Sequence, residues 1–198
     1  MRPKMRRRRT VQSCWISTQF SRMNEETLSS DYLYRGRILT LRVDEVELSN
    51  GVTSTREVIE HKPAVVVLPF EAPDRVYLIR QFRKPIEQIL LEAPAGIMDD
   101  GEDPLVAAKR ELQEETGFTA TEWTSVGGSY TAPGFCDEYL HFYIASGLEK
   151  GGVNLDHDEQ IEVVSYTLSE MDELIRTNQI VDGKTAQIYL MFKFFLGK

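Results

Sequence analysis

Residues 96–118 read Gly96-Ile97-Met98-Asp99-Asp100-Gly101-Glu102-Asp103-Pro104-Leu105-Val106-Ala107-Ala108-Lys109-Arg110-Glu111-Leu112-Gln113-Glu114-Glu115-Thr116-Gly117-Phe118. Asp103 is a cap candidate and Pro104 suits the first helical position, where a missing N–H costs nothing. The spacing predicts a helix running to about Thr116, with Gly117 as its stop. Its apolar stripe is Leu105, Ala108 and Leu112. At about 100° per residue, Glu111, Glu114 and Glu115 fall within an arc of roughly 100° beside that stripe. Like charges one turn apart repel, and the C-terminal end of a helix disfavours anions. Two local rules are therefore broken in one place. Either the helix carries a solvated acidic face, as like-charge runs usually do, or bound divalent cations reverse the sign of the interaction.

Mg²⁺ takes hard oxygen ligands, so carboxylates one turn apart are donors of the right kind for it, and Mn²⁺ is a second possibility. The whole pattern favours the metal reading. Gly96, five residues, Glu102, seven residues, then Arg110-Glu111-Leu112-x-Glu114-Glu115-x-Gly117-Phe118 resembles the Nudix box at every specified position. The resemblance implies an α/β fold: an α/β/α sandwich with a mixed sheet, here preceded by an N-terminal antiparallel strand region. It implies metal-assisted hydrolysis of a nucleoside diphosphate linked to another group. It further implies that Glu111, Glu114 and Glu115 ligate metal, with the Ala95 carbonyl as an added ligand. Arg110 would orient the glutamates, together with Glu102; the alternative is a simple i,i+4 surface pair with Glu114.

Flanking residues narrow the resemblance. Leu91-Glu92-Ala93-Pro94-Ala95-Gly96 and Gln81-Phe82-Arg83 are similar to the approach to the box in ADP-ribose pyrophosphatases. Pro133, fifteen residues past Phe118, matches the proline marker of that subfamily. The resemblance spans about Tyr32 to Phe195 and implies conversion of ADP-ribose to AMP and ribose 5-phosphate. It implies substrate contacts from Arg83, Arg56 and Pro133, against the alternative that both arginines are surface residues. Glu159, in the acidic stretch before Ile161, matches the loop glutamate that activates water in the subfamily, with Glu114 as rival base. Asp182-Gly183-Lys184-Thr185 recurs among relatives hydrolysing either ADP-ribose or GDP-mannose. GDP-mannose or another nucleotide sugar is therefore the alternative substrate, and a catalytically weak nucleotide-sensing domain the alternative class. In the resembled subfamily dimers exchange N-terminal regions, which implies a homodimer here.

Working outward, Ile38–Leu48 alternates apolar and polar residues with mostly strand period, and Ser49-Asn50-Gly51 turns it into Val52–His61. Ala64–Phe70 and Val76–Phe82 read as two further strands, with a short extended piece at Ile89–Glu92. Pro94-Ala95-Gly96 breaks the pattern. Strands are expected near Thr121–Ser129, Glu138–Ser146 and Ile161–Leu168. A helix should open at Ser169-x-x-Asp172, and another should cover Thr185–Leu196. This organisation divides the chain into an extension (1–22), a strand region with possible dimerisation role (23–61) and a catalytic core (62–198).

Composition bounds the rest. A chain of 198 residues supports one full core. No apolar run has the length of a membrane span. Cys14 and Cys136 have no Cys or His partners at metal spacing, which suits a reducing, cytoplasmic setting. Residues 1–22 hold seven Lys/Arg and no acid; the 23 Lys/Arg less these seven leave 16 against 31 Asp/Glu, a net of −15. So acidic a body repels polyphosphate unless cations intervene, and it argues against nonspecific nucleic-acid binding. The basic extension reads as a tail outside the fold, a transit-like segment or a phosphate-binding arm.

Overall fold

The structure is a computed structural model that describes residues 24–151 and 160–195. Its first sheet has three antiparallel strands, β1 (Glu25–Arg35), β2 (Leu39–Leu48) and β3 (Thr53–His61). The sequence reading missed β1. Two bulges, between Thr27 and Ser29 and between Tyr32 and Tyr34, break its alternation, and every residue of it is exposed, so no buried face marks it. Loop residues fasten this sheet to the rest: Ile59 N–H donates to Phe135 O at 2.7 Å, and His61 N–H to Asp137 Oδ1 at 2.7 Å.

The second sheet has seven strands and is mixed. Its order is β10 (Ile161–Thr167), β5 (Arg75–Arg83), β4 (Ala64–Ala72), β9 (Tyr139–Lys150) and β8 (Phe118–Tyr130), with only β4 and β9 parallel. Strand β4 reads as an unbroken apolar run because both its faces are covered. Val65 and Val67 point toward Ala107, Ala108 and Leu112 of α1 (Pro104–Thr116). Val66, Leu68 and Phe70 join a second cluster with Met171 of α2 (Leu168–Arg176) and Ile188, Tyr189 and Phe192 of α3 (Gly183–Phe195). One core thus lies on each side of the sheet, giving the α/β/α sandwich.

Two short strands set up the site. β4 and β5 pair only near their hairpin, at Phe70–Val76 and Ala72–Arg75. Where they diverge, β6 (Gln88–Glu92) pairs with β5 and β7 (Ala95–Ile97) pairs with β4. Pro94-Ala95-Gly96 was expected only to break the pattern; Ala95 and Gly96 in fact extend against Val66 and Val65. Three residues are too few for periodicity to announce a strand. Helix α2 also begins earlier than expected: its cap is Thr167, which exchanges hydrogen bonds with Glu170 in a full capping box, rather than Ser169. Leu196, the expected end of α3, lies outside the described residues.

Candidate active site

Helix α1 starts and stops as its sequence dictates. The Asp103 carboxylate accepts from the N–H groups of Leu105 and Val106, and Gly117 closes the helix in the left-handed region at φ 72°. Between these caps the expected acidic arc turns inward: Glu111 and Glu115 are buried and Glu114 is half-buried. An acidic face left to solvent would not place two carboxylates under the sheet.

Gly96 explains how Glu111 fits. A Cβ added there would lie 2.0–2.2 Å from the Glu111 carboxyl atoms, well inside any tolerable contact. With glycine there, the Glu111 carboxylate can occupy the space a side chain would take. Glu115 is held from the same strand, its Oε2 accepting from Ala95 N–H at 2.9 Å. β7 and α1 together thus fix both carboxylates.

Arg110 is the organiser. It donates to Glu102 through Nε (3.1 Å) and Nη2 (2.9 Å), to Glu111 at 2.5 Å, to Glu114 at 3.0 Å and to the Ile97 carbonyl at 3.1 Å. The i,i+4 contact with Glu114 therefore exists, but as one of several. Its hydrogen bonds to Glu102 lead the effects that push the guanidinium pKa further up. The same bonds hold the Glu102 carboxyl below the usual carboxylate range. Glu102 also accepts from Asp99 N–H at 2.9 Å, closing the loop ahead of the helix.

Among the described residues, no three His, Cys, Asp or Glu side chains form a ready-made metal cage. Mg²⁺ does not need one. It binds through one or two carboxylates and completes its shell with water and substrate phosphate. The oxygen donors of Glu111, Glu114 and Glu115 fit that chemistry, and a cation there would relieve the repulsion among them.

A cavity of about 600 Å³ opens beside the box, walled by Ala95, Gly96 and Ile97 and by Arg83, Tyr130 and Lys184. Of the residues expected to contact substrate, Arg83 is here. Arg56 and Pro133 line a neighbouring cavity of about 460 Å³, and Tyr130 borders both. Arg56 is engaged with Glu25 of β1 by two hydrogen bonds, at 2.5 and 2.9 Å. Glu159 lies outside the described residues.

Sequence reasoning assigned no role to Glu92. It is fully buried, and Arg83 clasps it with two bonds of 2.7 Å while Lys184 Nζ donates to the same carboxylate. Burial opposes its ionisation, but Arg83 and Lys184 outweigh that and hold its carboxyl below the ordinary range. Asp182 pairs with Lys184 at 3.1 Å and caps α3 through Thr185, whose hydroxyl accepts from Ala93 N–H at 2.7 Å. The motifs Gln81-Phe82-Arg83, Leu91–Gly96 and Asp182–Thr185 were the available signals, and none of them shows that the three meet.

A loop–helix–loop of three directed carboxylates, organised by an arginine and set against a glycine under a mixed sheet, defines a class. The chain belongs to the Nudix family: residues 60–187 match the NUDIX domain. Residues 25–59 match the nucleoside diphosphate sugar hydrolase N-terminal domain, which coincides with the three-stranded sheet. The chain is 39% identical over 175 residues to the ADP-ribose pyrophosphatase of Bacillus subtilis (strain 168), covering 86% of this chain and 95% of that protein. It is 40% identical over 163 residues to the methanol dehydrogenase activator of Bacillus methanolicus, covering 81% and 88%. A crystal structure of an ADP compounds hydrolase superposes with a TM-score of 0.81 at 26% identity, covering 89% of this chain and 96% of that one.

Proposed function

We propose that this protein hydrolyses ADP-ribose to AMP and ribose 5-phosphate, with Mg²⁺ as its metal and Mn²⁺ as a possible substitute. The observation that carries the reading is the packing of Glu111 against Gly96, with Glu115 tied to Ala95 N–H beside a cavity of about 600 Å³. Glu111, Glu114 and Glu115, with the Ala95 carbonyl, would hold the metal. When bound, the metal would supply charge neutralisation at the diphosphate and a lowered pKa for attacking water. Arg110 keeps three of the acidic side chains, Glu102, Glu111 and Glu114, in register with Ile97. Arg83 faces the cavity, where a substrate phosphate is its natural partner. Arg56 and Pro133 would meet the remainder of the substrate in the adjoining cavity. Glu159, or Glu114 in its place, would take the proton from water; the slower of the two glutamine variants at unchanged KM identifies which.

Water adds to one phosphorus and the bridging oxygen leaves with the other phosphate, so each product carries one phosphomonoester. Steady-state release of AMP from ADP-ribose, beside GDP-mannose under identical conditions, tests the substrate. A higher kcat/KM for ADP-ribose is expected; a higher value for GDP-mannose would replace ADP-ribose in the reading, and turnover of neither would favour a nucleotide sensor.

We also propose a homodimer built through the N-terminal sheet, working in the cytoplasm. Leu28, Tyr32, Leu33 and Tyr34 of β1 are all exposed, a density of large apolar groups that a lone surface rarely carries. Sedimentation equilibrium should give twice the chain mass; a monomer at micromolar concentration would refute the dimer. Among the described residues no helix is long and apolar enough to cross a membrane.

A further inference from the structure

Glu92 is a buried carboxylate with two cations bonded to it. It lies at the end of β6, fully buried, with Arg83 of β5 bonded to both its oxygens and Lys184, at the start of α3, bonded to one of them. Both cations reach the wall of the cavity beside Gly96. Arg83 keeps 37% side-chain exposure, while Lys184 keeps 16% and Glu92 1%. The arginine is therefore the cation more open to whatever enters, and the lysine the more enclosed of the two.

The second cation matters through the charge balance of the cluster. Arg83, Lys184, Glu92 and Asp182 sum to zero, so the cluster does not draw a phosphate by excess charge. Asp182, however, is also committed to the amide and hydroxyl of Thr185 at the head of α3. With Lys184 present, Glu92 is neutralised without Arg83 supplying all the compensation. The guanidinium can then share its field with a second anion, and Nη1 takes no part in the Glu92 clasp. Without Lys184, Arg83 alone would have to keep a fully buried carboxylate ionised, and any phosphate would compete directly with Glu92.

We infer that Lys184 is a positioning residue that, by sharing the neutralisation of Glu92, leaves Arg83 able to grip a phosphate of the substrate diphosphate. The device also has a rigid mount. Asp182 caps α3 while the Thr185 hydroxyl takes the Ala93 N–H, so the helix start, the end of β6 and the strand leading to Gly96 are fastened together. Lys184 thus acts through Arg83 and Glu92 on the substrate's charge, and it is separate from the box carboxylates that carry the metal.

This inference rests on the proposed nucleotide-sugar hydrolysis, and the test separates the two. Lys184→Gln and Lys184→Arg are compared with the wild-type chain in steady-state hydrolysis of ADP-ribose and in inhibition by the product AMP. For Lys184→Gln, KM and the AMP inhibition constant should rise together by about tenfold, with kcat within about threefold. Lys184→Arg, which keeps the charge, should recover most of the affinity. Unchanged KM and AMP inhibition in a folded Lys184→Gln variant would overturn the inference, as would a loss in kcat alone. Equal loss in both lysine variants would overturn it too, because shape rather than charge would then be responsible. A wild-type chain inert toward every nucleotide sugar would instead defeat the proposed function. Circular dichroism melting checks that the variants fold; if Lys184→Gln does not, Lys184→Met supplies the same comparison without a polar head.

Discussion

Glu115→Gln is expected to lower ADP-ribose turnover by about a thousandfold or more, equivalent to roughly 4 kcal/mol of lost transition-state stabilisation. The substitution preserves shape and keeps an oxygen able to accept from Ala95 N–H, the bond that positions Glu115 at 2.9 Å. It removes one negative charge from a buried side chain within a cluster that already contains Glu111 and Glu114. Without metal, that relief should leave the melting temperature equal to wild type or higher. Added Mg²⁺ should raise the melting temperature of the wild type more than that of the variant, because a ligand stabilises only the form that binds it. Thermal melts with and without Mg²⁺, alongside kcat, check both halves. Near-normal turnover would remove Glu115 from the metal site.

Gly96→Ala should lower kcat by about a hundredfold while costing little stability. The added methyl would sit 2.0–2.2 Å from the Glu111 carboxyl, so one of the two must move. Backbone strain is not the reason, since Gly96 is not among the glycines at positive φ. The carboxylate is the mobile partner: it ends a flexible side chain, whereas Gly96 is pinned by pairing with Val65. A displacement of about 1 Å in a group that positions reacting atoms is enough for a loss of that size. Glu111→Ala combined with Gly96→Ala should melt no lower than Glu111→Ala alone, because the clash is gone. A fully active Gly96→Ala variant would mean that the Glu111 carboxylate can leave this cradle without cost to the chemistry.

How legible the molecule was in its sequence depended on how local the determining interactions are. Both ends of helix α1 were readable, because Asp103, Pro104 and Gly117 act within a few residues of themselves, but of the expected stripe Ala107 rather than Leu105 joins Ala108 and Leu112 in the core. Strand β4 was readable because burial on both faces makes it apolar throughout. Strand β1 was not, since bulges and full exposure erase its pattern, and β7 was too short to have one. The expected opening at Ser169-x-x-Asp172 missed the head of α2, where Thr167 and Glu170 form the capping box.

The site divides the same way. The carboxylates of α1 and their arginine lie within 14 residues of one another, from Glu102 to Glu115, so spacing could place them on one face. The Lys184–Glu92 contact joins residues 92 positions apart, and no periodicity links them. Arg83 and Arg56 look alike in sequence, yet one faces the box cavity and the other is bound to Glu25 beside Pro133. Long-range pairing decides which arginine faces which cavity.

Metal-dependent release of AMP from ADP-ribose by the full chain is the most direct test of the proposed hydrolysis. With Mg²⁺ present, AMP and ribose 5-phosphate should appear in equal amounts; a chelator should stop the reaction and restored Mg²⁺ should restart it. Undiminished AMP release in the chelator, or none from folded protein with Mg²⁺, would contradict it.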